Sequence, residues 1–274
     1  MTGQTTQIRF HIRRFNPETD TSPSWQEFLL AVEPGMTVLD GLHQLKHTQD
    51  MTLVWRYSCR MGVCGSCGML INGRPGLACN TQILHVTQTA MTLAPLPNFP
   101  IVRDLVPDLT EQFMKHRDLK PYIIRPDTAE MENPTGEYYQ TPDDLLDYLQ
   151  FTYCIKCGCC MAACPTLATD PEYAGPQPLA QAYRYSRDSR DMGCTDRKPA
   201  LIADHGIFSC HYGSECSSVC PKGVDPARAI QLMKRQLVLD YFKLLKKKPH
   251  CKILGPCENA ERKPNIPAAP PYSV

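Results

Sequence analysis

Two cysteine-rich stretches, about fifty residues apart, constrain this chain more than any other feature. They read CIKCGCCMAACP at residues 154–165 and CHYGSECSSVCP at residues 210–221. Both follow the spacing C-x₂-C-x₂-C-x₃-C-P, but the second has Gly213 where its second cysteine is expected. In such runs the first three cysteines hold one iron–sulfur cubane, and the fourth is a ligand of the other cluster. The spacing therefore predicts two neighbouring clusters with unequal ligand sets.

The crossed pairing gives the two clusters different numbers of thiolates. Four thiolates complete a [4Fe–4S] cluster, whereas three fit a [3Fe–4S] cluster, which is a cubane lacking one corner. The predicted four-iron ligands are Cys154, Cys157, Cys160 and Cys220, and the predicted three-iron ligands are Cys164, Cys210 and Cys216. Loss of an iron and a thiolate changes the charge and potential of the second cluster, which suits it to pass electrons singly to an adjacent acceptor.

The gap at Gly213 also has alternative explanations. A four-iron cluster with water on the unligated iron is one, and a fourth ligand from Cys159 or Cys194 is another. Cys159 lies between two predicted ligands and is interpreted as a buried thiol, while Cys194 lies in a polar stretch and is interpreted as an ordinary thiol. A further metal site at Cys251 and Cys257 is disfavoured, because only two cysteines and one histidine occur there.

A third group of cysteines precedes these motifs and has the plant-type [2Fe–2S] spacing C-x₄-C-x₂-C-x₁₁-C. Three glycines in its loop permit left-handed backbone conformations that aim N–H groups at the sulfur atoms, and two arginines add positive charge. A four-thiolate zinc site usually has two C-x₂-C knuckles, and only one such pair is present here. The predicted ligands are Cys59, Cys64, Cys67 and Cys79, the glycines are Gly62, Gly65 and Gly68, and the arginines are Arg56 and Arg60.

Composition favours metal binding over disulfides. The chain has 15 cysteines in 274 residues, whereas disulfide scaffolds are short and secreted. The N-terminus lacks a basic region followed by an apolar core, so no signal peptide is expected. No stretch reaches the about 20 uninterrupted apolar residues of a membrane span, and the net charge of +1 does not favour nucleic acid. We expect a protein that is cytosolic or faces the cytosol.

Local patterns predict an α+β fold with two ferredoxin-like domains. Residues 7–13 and 25–32 read as strands, Thr37 can cap a helix that starts at Val38, and Asn72-Gly73 fits a hairpin turn. From Thr141 onward the chain reads helical. The predicted parts are a β-grasp [2Fe–2S] domain at 1–105, a linker with a helix-like stretch at 106–140, an all-α domain with two cubane-type clusters at 141–248, and a Pro-rich tail at 249–274.

The cysteine patterns and their flanks resemble the iron–sulfur subunit of succinate dehydrogenase and fumarate reductase. The similarity extends over roughly residues 7–245 and includes SCRMGVCGSCGMLINGRPGLAC, CIKCGCCMAACP, AYRYSRDSRD and CHYGSECSSVCPKGVDPARAI. The resemblance implies electron transfer between the FAD of a flavoprotein subunit and a quinone at membrane-anchor subunits, which occur with or without haem b. It implies a peripheral place at the cytoplasmic face of the cell membrane. Dicarboxylate chemistry would belong to the flavoprotein partner.

The same resemblance points to the residues nearest the quinone. It carries over Pro165 and Thr166 after Cys164, and His211 after Cys210, as quinone-proximal. His211 could donate a hydrogen bond or proton to quinone, and the alternative is a histidine that only bonds near the cluster. Ubiquinone-reducing members usually carry a tryptophan a few residues after the Cys-Pro, whereas this segment reads PTLATD. This difference favours menaquinone or a fumarate-reductase-like member.

Two other functions remain as alternatives. A soluble, thiol-linked fumarate reductase has an iron–sulfur subunit with the same modules, but it usually carries two complete four-iron motifs, against which Gly213 argues. A structural zinc-binding scaffold would be colourless and without redox activity. The direction of the reaction depends on cluster potentials and on the quinone.

Overall fold

Alternating apolar residues of the N-terminal third form a five-stranded sheet in the computed structural model, which describes residues 5–133, 135–244 and the pair 253–254. The elements are β1 (Thr6–Arg14), β2 (Ser24–Val32), α1 (Val38–Thr48), β3 (Gly68–Ile71), β4 (Arg74–Leu77) and β5 (Ala90–Ala94). The strands run in the order β2-β1-β5-β3-β4, and only the β1–β5 pair is parallel. One face of the sheet is buried against helix α1, and Phe10, Leu30 and Leu42 lie in this core.

The local signals for α1 and the hairpin are confirmed. The Thr37 hydroxyl accepts a hydrogen bond from the Asp40 amide at 3.2 Å, and the Asp40 carboxylate accepts one from the Thr37 amide at 3.0 Å. This reciprocal pair satisfies two amides that the first helical turn leaves unpaired. Asn72 and Gly73 both have positive φ, 48° and 78°, as a two-residue turn between twisted strands requires.

Strand β5 is absent from the pattern that the sequence predicted, although it holds the sheet together. It lies between β1 and β3, parallel to the first and antiparallel to the second. Its Met91 and Leu93 side chains are buried and Thr92 is exposed, which is the alternation of a half-buried strand. The sheet is therefore the mixed sheet of a β-grasp domain.

The segment that connects the five-stranded sheet to the second half of the chain packs on the helices of that half. The predicted helix forms as α3, and two of its side chains bond to the backbone near the second cysteine motif. Gln112 donates to the carbonyl of Lys156 at 3.1 Å, and Lys115 donates to that of Tyr173 at 2.9 Å. The elements are α2 (Ile83–Val86), the pair β6 (Ile101–Arg103) and β7 (Val106–Pro107), α3 (Thr110–Asp118), α4 (Thr128–Glu132), and β8 (Glu137–Tyr138), which pairs with β9 (Ile253–Leu254).

Short helices and two longer ones make up the second half. Helix α9 packs against α12 through Leu179, Ile230 and Met233. Thr141 caps α5 with Pro142 at its first position, as predicted. The helices are α5 (Pro142–Leu146), α6 (Leu149–Thr152), α7 (Cys159–Ala162), α8 (Pro165–Thr169), α9 (Pro176–Arg187), α10 (Cys194–Ile202), α11 (Glu215–Ser218) and α12 (Pro226–Tyr241), with 3₁₀ turns at Ala78–Asn80 and Ile207–Ser209.

The last predicted helix is shorter than the sequence indicated. The sequence of residues 225–248 reads as one helix, but α12 ends at Tyr241 and residues 242–244 are not helical. Residues 245–248 and the tail, apart from the pair 253–254, lie outside the described part of the chain. Within the described residues, no helix combines the length and the apolar character that a membrane crossing needs.

A buried ion pair lies at the start of α10, and its arginine also bonds to the segment before α4. The guanidinium of Arg197 is fully buried and contacts both carboxylate oxygens of Asp191, at 2.7 and 2.9 Å. It also donates to the carbonyls of Lys120 and Tyr122. Both charges are matched by hydrogen bonds, which is the condition for burying them without a large desolvation cost.

Candidate metal centres

The four cysteines of the first group surround a loop whose backbone amides point at sulfur. Cys59, Cys64 and Cys67 lie between α1 and β3, and Cys79 lies in the 3₁₀ turn after β4. Gly62 donates its amide to the sulfur of Cys79 at 3.2 Å, and the amide of Cys64 donates to the sulfur of Cys59 at the same distance. The Val63 amide adds a further donor to Cys59 at 3.3 Å. Donors in this arrangement fit the negative charge of a two-iron cluster held by four thiolates.

Two of the three loop glycines have the predicted conformation and the third has a different reason. Gly62 and Gly65 have φ of 68° and 78°, in the left-handed region. The same prediction is wrong for Gly68, which belongs to β3. A Cβ atom on Gly68 would lie 2.9 Å from the carbonyl oxygen of Cys157, so glycine is needed there because another backbone approaches closely.

Hydrogen bonding and burial act in opposite directions on the thiols of this loop. Backbone hydrogen bonds from Met61, Cys64 and Val63 lower the pKa of Cys59 to about 6. Burial raises the pKa of Cys67 to about 12. The thiolate is the form that binds metal. Backbone hydrogen bonds therefore favour the metal-binding form of Cys59, whereas burial disfavours that of Cys67. We expect Cys67 to lose its proton only when metal binds.

The two later motifs contribute thiols to each other's cavities. One cavity is lined by Cys154, Cys157, Cys160 and Cys220, and the second by Cys164, Cys210 and Cys216. Each cavity therefore combines cysteines from residues 154–164 with cysteines from residues 210–220. These are the two groupings that the crossed-ligand pattern predicts.

Gly213 lies in the wall of the three-thiol cavity. A Cβ atom there would approach Cγ of Pro165 at 3.2 Å. Neither Cys159 nor Cys194 is among the residues that line this cavity. Cys159 is fully buried and shares a hydrogen bond with Cys157, which lowers the pKa of Cys157 to about 7, and Cys194 accepts a hydrogen bond from Gln236 at 3.6 Å. The structure brings no other cysteine into the place of the missing ligand within the described residues.

A site for a single metal ion needs several ligands that converge on one point. In residues 5–133 and 135–244, no three His, Cys, Asp or Glu side chains converge closely enough to hold one metal ion. Zinc, with Zn–S bonds of about 2.3 Å, holds tetrahedral thiolates only about 3.8 Å apart. A cubane cluster spreads its thiolates over several iron atoms. The four-thiol and three-thiol sets that line the two cavities supply the ligand type that such clusters use.

The predicted quinone-proximal residues separate into two groups. Pro165 and Thr166 line the three-thiol cavity, and Thr166 is buried. His211 is exposed next to Cys210 and is not among the lining residues. A different histidine, His205, connects the loops near this cavity and contacts Asp170 at 2.8 Å and Glu172 at 2.9 Å. The hydrogen bond to Asp170 raises the pKa of His205 above its usual value.

The two-iron loop and the four-thiol cavity are in direct contact. A Cβ atom on Gly65 would lie 2.9 Å from Cβ of Cys157, so only glycine allows these backbones to approach so closely. Arg74 of β4 donates to the carbonyl of Ser218 at 2.6 Å. Asn98 donates to the carbonyl of Cys164 at 3.2 Å. The β-grasp domain is thereby fixed against both later motifs, and the three centres are contiguous.

Two buried residues beside the cavities were missed by sequence reasoning. Tyr173 lines the three-thiol cavity, and Gln177 lines the four-thiol cavity. Both are at most 2% exposed, and the Nε2 of Gln177 lies 3.2 Å from Nδ1 of His116. They belong to no cysteine motif. The available signal was the position of polar side chains in the apolar stretch YAGPQPLAQA, which precedes and begins α9.

Comparison with known families agrees with this arrangement. A family described as "2Fe-2S iron-sulfur cluster binding domain" matches residues 9–114, and one described as "4Fe-4S dicluster domain" matches residues 150–224. The two matches follow one another in the order of the centres described above.

Relatives in both sequence and structure have the same subunit type. The chain is 44% identical over 227 residues to the fumarate reductase iron-sulfur subunit of Mycobacterium tuberculosis, covering 83% of this chain and 91% of that one. It is 39% identical over 234 residues to the mitochondrial succinate dehydrogenase [ubiquinone] iron-sulfur subunit of Candida glabrata, covering 84% and 91%. A chain in the structure of the Mycobacterium smegmatis Sdh1 complex in the apo form superimposes with a TM-score of 0.73 at 28% identity, covering 87% and 98%. The chain therefore belongs to the iron–sulfur subunits of fumarate reductase and succinate dehydrogenase, the electron-transfer subunits of these oxidoreductases.

Proposed function

We propose that this chain carries electrons between the FAD of a flavoprotein subunit and a membrane quinone, with menaquinone favoured, in a succinate:quinone oxidoreductase. When bound, the iron–sulfur clusters supply carriers that accept and release electrons one at a time. The observation that carries the proposal is the contiguous series of thiol-lined centres, in which Gly65 of the first loop touches Cys157 of the second centre. The four-thiol cavity and the three-thiol cavity each take cysteines from both of the later motifs.

The ligand sets follow from this arrangement. The two-iron ligands are Cys59, Cys64, Cys67 and Cys79, the four-iron ligands are Cys154, Cys157, Cys160 and Cys220, and the three-iron ligands are Cys164, Cys210 and Cys216. Backbone amides donate to the sulfurs of Cys59 and Cys79 in this set. The dicarboxylate is oxidised or reduced on the flavoprotein, and this chain contributes no group to that step.

Exposed apolar side chains mark both ends of the series. Tyr57, Met61 and Val63 surround the first loop and are 46%, 73% and 53% exposed. At the other end, Phe208 and Tyr212 flank Cys210 and are 51% and 57% exposed. Exposed apolar groups of this size are typical of surfaces that partner subunits cover. We assign the first end to the flavoprotein and the second to the membrane anchor.

The anchor end defines the quinone site and the location of the subunit. Pro165 and Thr166 line the three-thiol cavity, and His211 lies beside Cys210 at the surface. These residues are the quinone-proximal candidates of this chain. The absence of an aromatic residue from PTLATD favours menaquinone. The subunit would lie on the cytoplasmic face of the cell membrane, held by anchor subunits with or without haem b.

EPR spectroscopy of the purified complex, first as isolated and then reduced, tests the proposal. We expect a three-iron signal in the oxidised sample, and two-iron and four-iron signals on reduction. An oxidised sample without a three-iron signal, followed by two four-iron signals on reduction, would contradict the quinone-linked assignment and favour the soluble, thiol-linked reductase. A colourless protein with zinc and no iron would leave only the structural scaffold.

A further inference from the structure

A cavity of about 210 Å³ lies between α9 and α12. No cysteine belongs to its described lining, so the cavity is separate from the two thiol cavities. It is several times larger than the about 30 Å³ of one water molecule and smaller than the about 300–1,000 Å³ of pockets for drug-sized ligands. The space therefore suits a small molecule. Its lining consists of Tyr183 and Arg187 from α9, and Leu232, Arg235, Gln236 and Leu239 from α12.

The charge of this lining is positive. Two of the six lining residues are arginines, and none is acidic. Arg187 is matched only in part, because its Nη2 contacts the Asp147 carboxylate at 2.5 Å while its buried Nε has no hydrogen-bond partner in the described part of the chain. Arg235 is exposed, and its side chain forms no ion pair or hydrogen bond within residues 5–133 and 135–244. One carboxylate does not neutralise two guanidinium groups, which keep their charge at any ordinary pH, so the cavity attracts an anion.

Tyr183 adds a hydrogen-bond donor to the two arginines. The residue is 6% exposed, and its ring packs edge-on against Phe151 with the ring centres 5.2 Å apart. Burial raises the pKa of Tyr183, so its hydroxyl keeps its proton. This hydroxyl bonds to no group of the described residues, although a partner is the rule for a buried tyrosine. A ligand in the cavity would provide the missing acceptor.

The two leucines determine what the anion carries besides its charge. Leu232 and Leu239 place apolar side chains in the same lining as the arginines. A bare inorganic anion would leave this apolar surface without a partner, whereas a short hydrocarbon part would cover it. A carboxylate also matches the paired N–H groups of a guanidinium in one plane.

We propose that the cavity between α9 and α12 binds a small aliphatic carboxylate. The carboxylate accepts hydrogen bonds from Arg235, Arg187 and Tyr183, and its hydrocarbon part lies against Leu232 and Leu239. The site contains no cluster ligand, so this inference goes beyond electron transfer and stands or falls separately from the proposed function.

The test is fluorine NMR spectroscopy of the purified whole complex carrying Tyr183→3-fluorotyrosine, titrated with butyrate. We expect a saturable shift of the fluorine signal, because the label lies in the cavity lining. Butyramide is the matched control ligand, since it has the shape of butyrate without the charge, and it should cause no shift. Inorganic phosphate, which has the charge but no hydrocarbon part, should bind more weakly than butyrate.

Two variants of the labelled complex locate the bound butyrate. Arg235→Gln should weaken its binding about tenfold or more, because the change removes a charge-assisted hydrogen bond. Arg117→Gln removes an exposed arginine of α3 that lies outside this lining, and it should leave the binding unchanged. The absence of a saturable shift with butyrate, an equal shift with butyramide, phosphate binding as tight as that of butyrate, or unchanged butyrate binding in Arg235→Gln would each overturn the inference.

Discussion

The contact between Gly65 and Cys157 predicts a large effect for Gly65→Ala. Gly65 has φ of 78°, where a side chain costs about 1–2 kcal/mol. The new Cβ would also lie 2.9 Å from Cβ and 3.0 Å from Cα of Cys157, and overpacking of this kind costs about 1–3 kcal/mol. The sum is about 2–5 kcal/mol of lost stability. Because the steric part falls on a proposed four-iron ligand, the four-iron signal should weaken first.

Two other glycines separate the backbone cost from the steric cost. Gly73 also has φ of 78°, but no atom lies within 4 Å of the place that a Cβ atom would take, so Gly73→Ala should lose only about 1–2 kcal/mol. Gly68 has no positive φ, but its Cβ would lie 2.9 Å from the Cys157 carbonyl oxygen, so Gly68→Ala should lose about 1–3 kcal/mol. All three changes alter the entropy of the unfolded chain equally, and that contribution cancels in the comparison.

Thermal unfolding of the complex at one fixed scan rate gives the comparison, since unfolding of such assemblies is rarely reversible. With about 2–4 °C of Tm per kcal/mol for a chain of this size, Gly73→Ala should lower Tm by about 2–8 °C and Gly65→Ala by about 4–20 °C. The four-iron EPR signal should persist in Gly73→Ala. Equal effects on Tm from Gly65→Ala and Gly73→Ala would refute the close approach of the two loops.

Three further changes test other parts of the structure. Gly213→Cys should raise the iron content from about nine to about ten atoms per chain and abolish the three-iron signal, because the added thiol completes a cubane; Gly213→Ser should retain that signal, and an unchanged signal in Gly213→Cys would contradict the assignment of the gap. The hydrogen bond to Asp170 raises the pKa of His205, so protonated His205 stabilises the fold below about pH 6.5, and this stabilisation is lost as pH rises through the raised pKa. The Tm values of wild type and His205→Asn should therefore differ at low pH and converge at high pH. A difference in Tm that grows with pH would contradict this. Arg197→Ala should cost about 3–5 kcal/mol, measured as a fall in Tm, because it leaves Asp191 buried without its partner; a double change to Arg197→Met and Asp191→Leu should recover part of the loss, and equal losses would argue against an unpaired charge as the cause.

The sequence predicted the features that depend on short spacing. The Thr37 cap, the Asn72-Gly73 turn and the start of α5 at Pro142 each need only neighbouring residues, and all three formed as expected. The cysteine groupings could also be predicted from the sequence, because a thiolate cluster requires fixed residue types at fixed separations. Strand β5 was missed, although Met91 and Leu93 carry the alternation, because a five-residue strand is a weak pattern outside its sheet.

The missed site residues depend on contacts between distant segments. Tyr173 lies between α8 and α9 and lines the three-thiol cavity, but no spacing rule relates it to Cys210. The reason for Gly68 is also tertiary, since it is a neighbouring backbone and not a local turn that excludes a side chain. Helix α12 ends at Tyr241, although the sequence YFKLLKKK contains no glycine or proline that would predict a helix end there. Such features follow from packing, which one sequence read alone does not specify.

Because each thiol cavity takes cysteines from both later motifs, neither cavity is complete until the second motif has been synthesised. Cys154, Cys157 and Cys160 leave the ribosome at least 60 residues before Cys220, which lines the same cavity. The other cavity begins with Cys164 and waits for cysteines of the same later stretch. Iron delivered before Cys220 is made would meet an incomplete four-thiol cavity, so loading of that cavity must follow synthesis of the second motif. A premature stop anywhere between the two motifs would remove both cubane sites in one step.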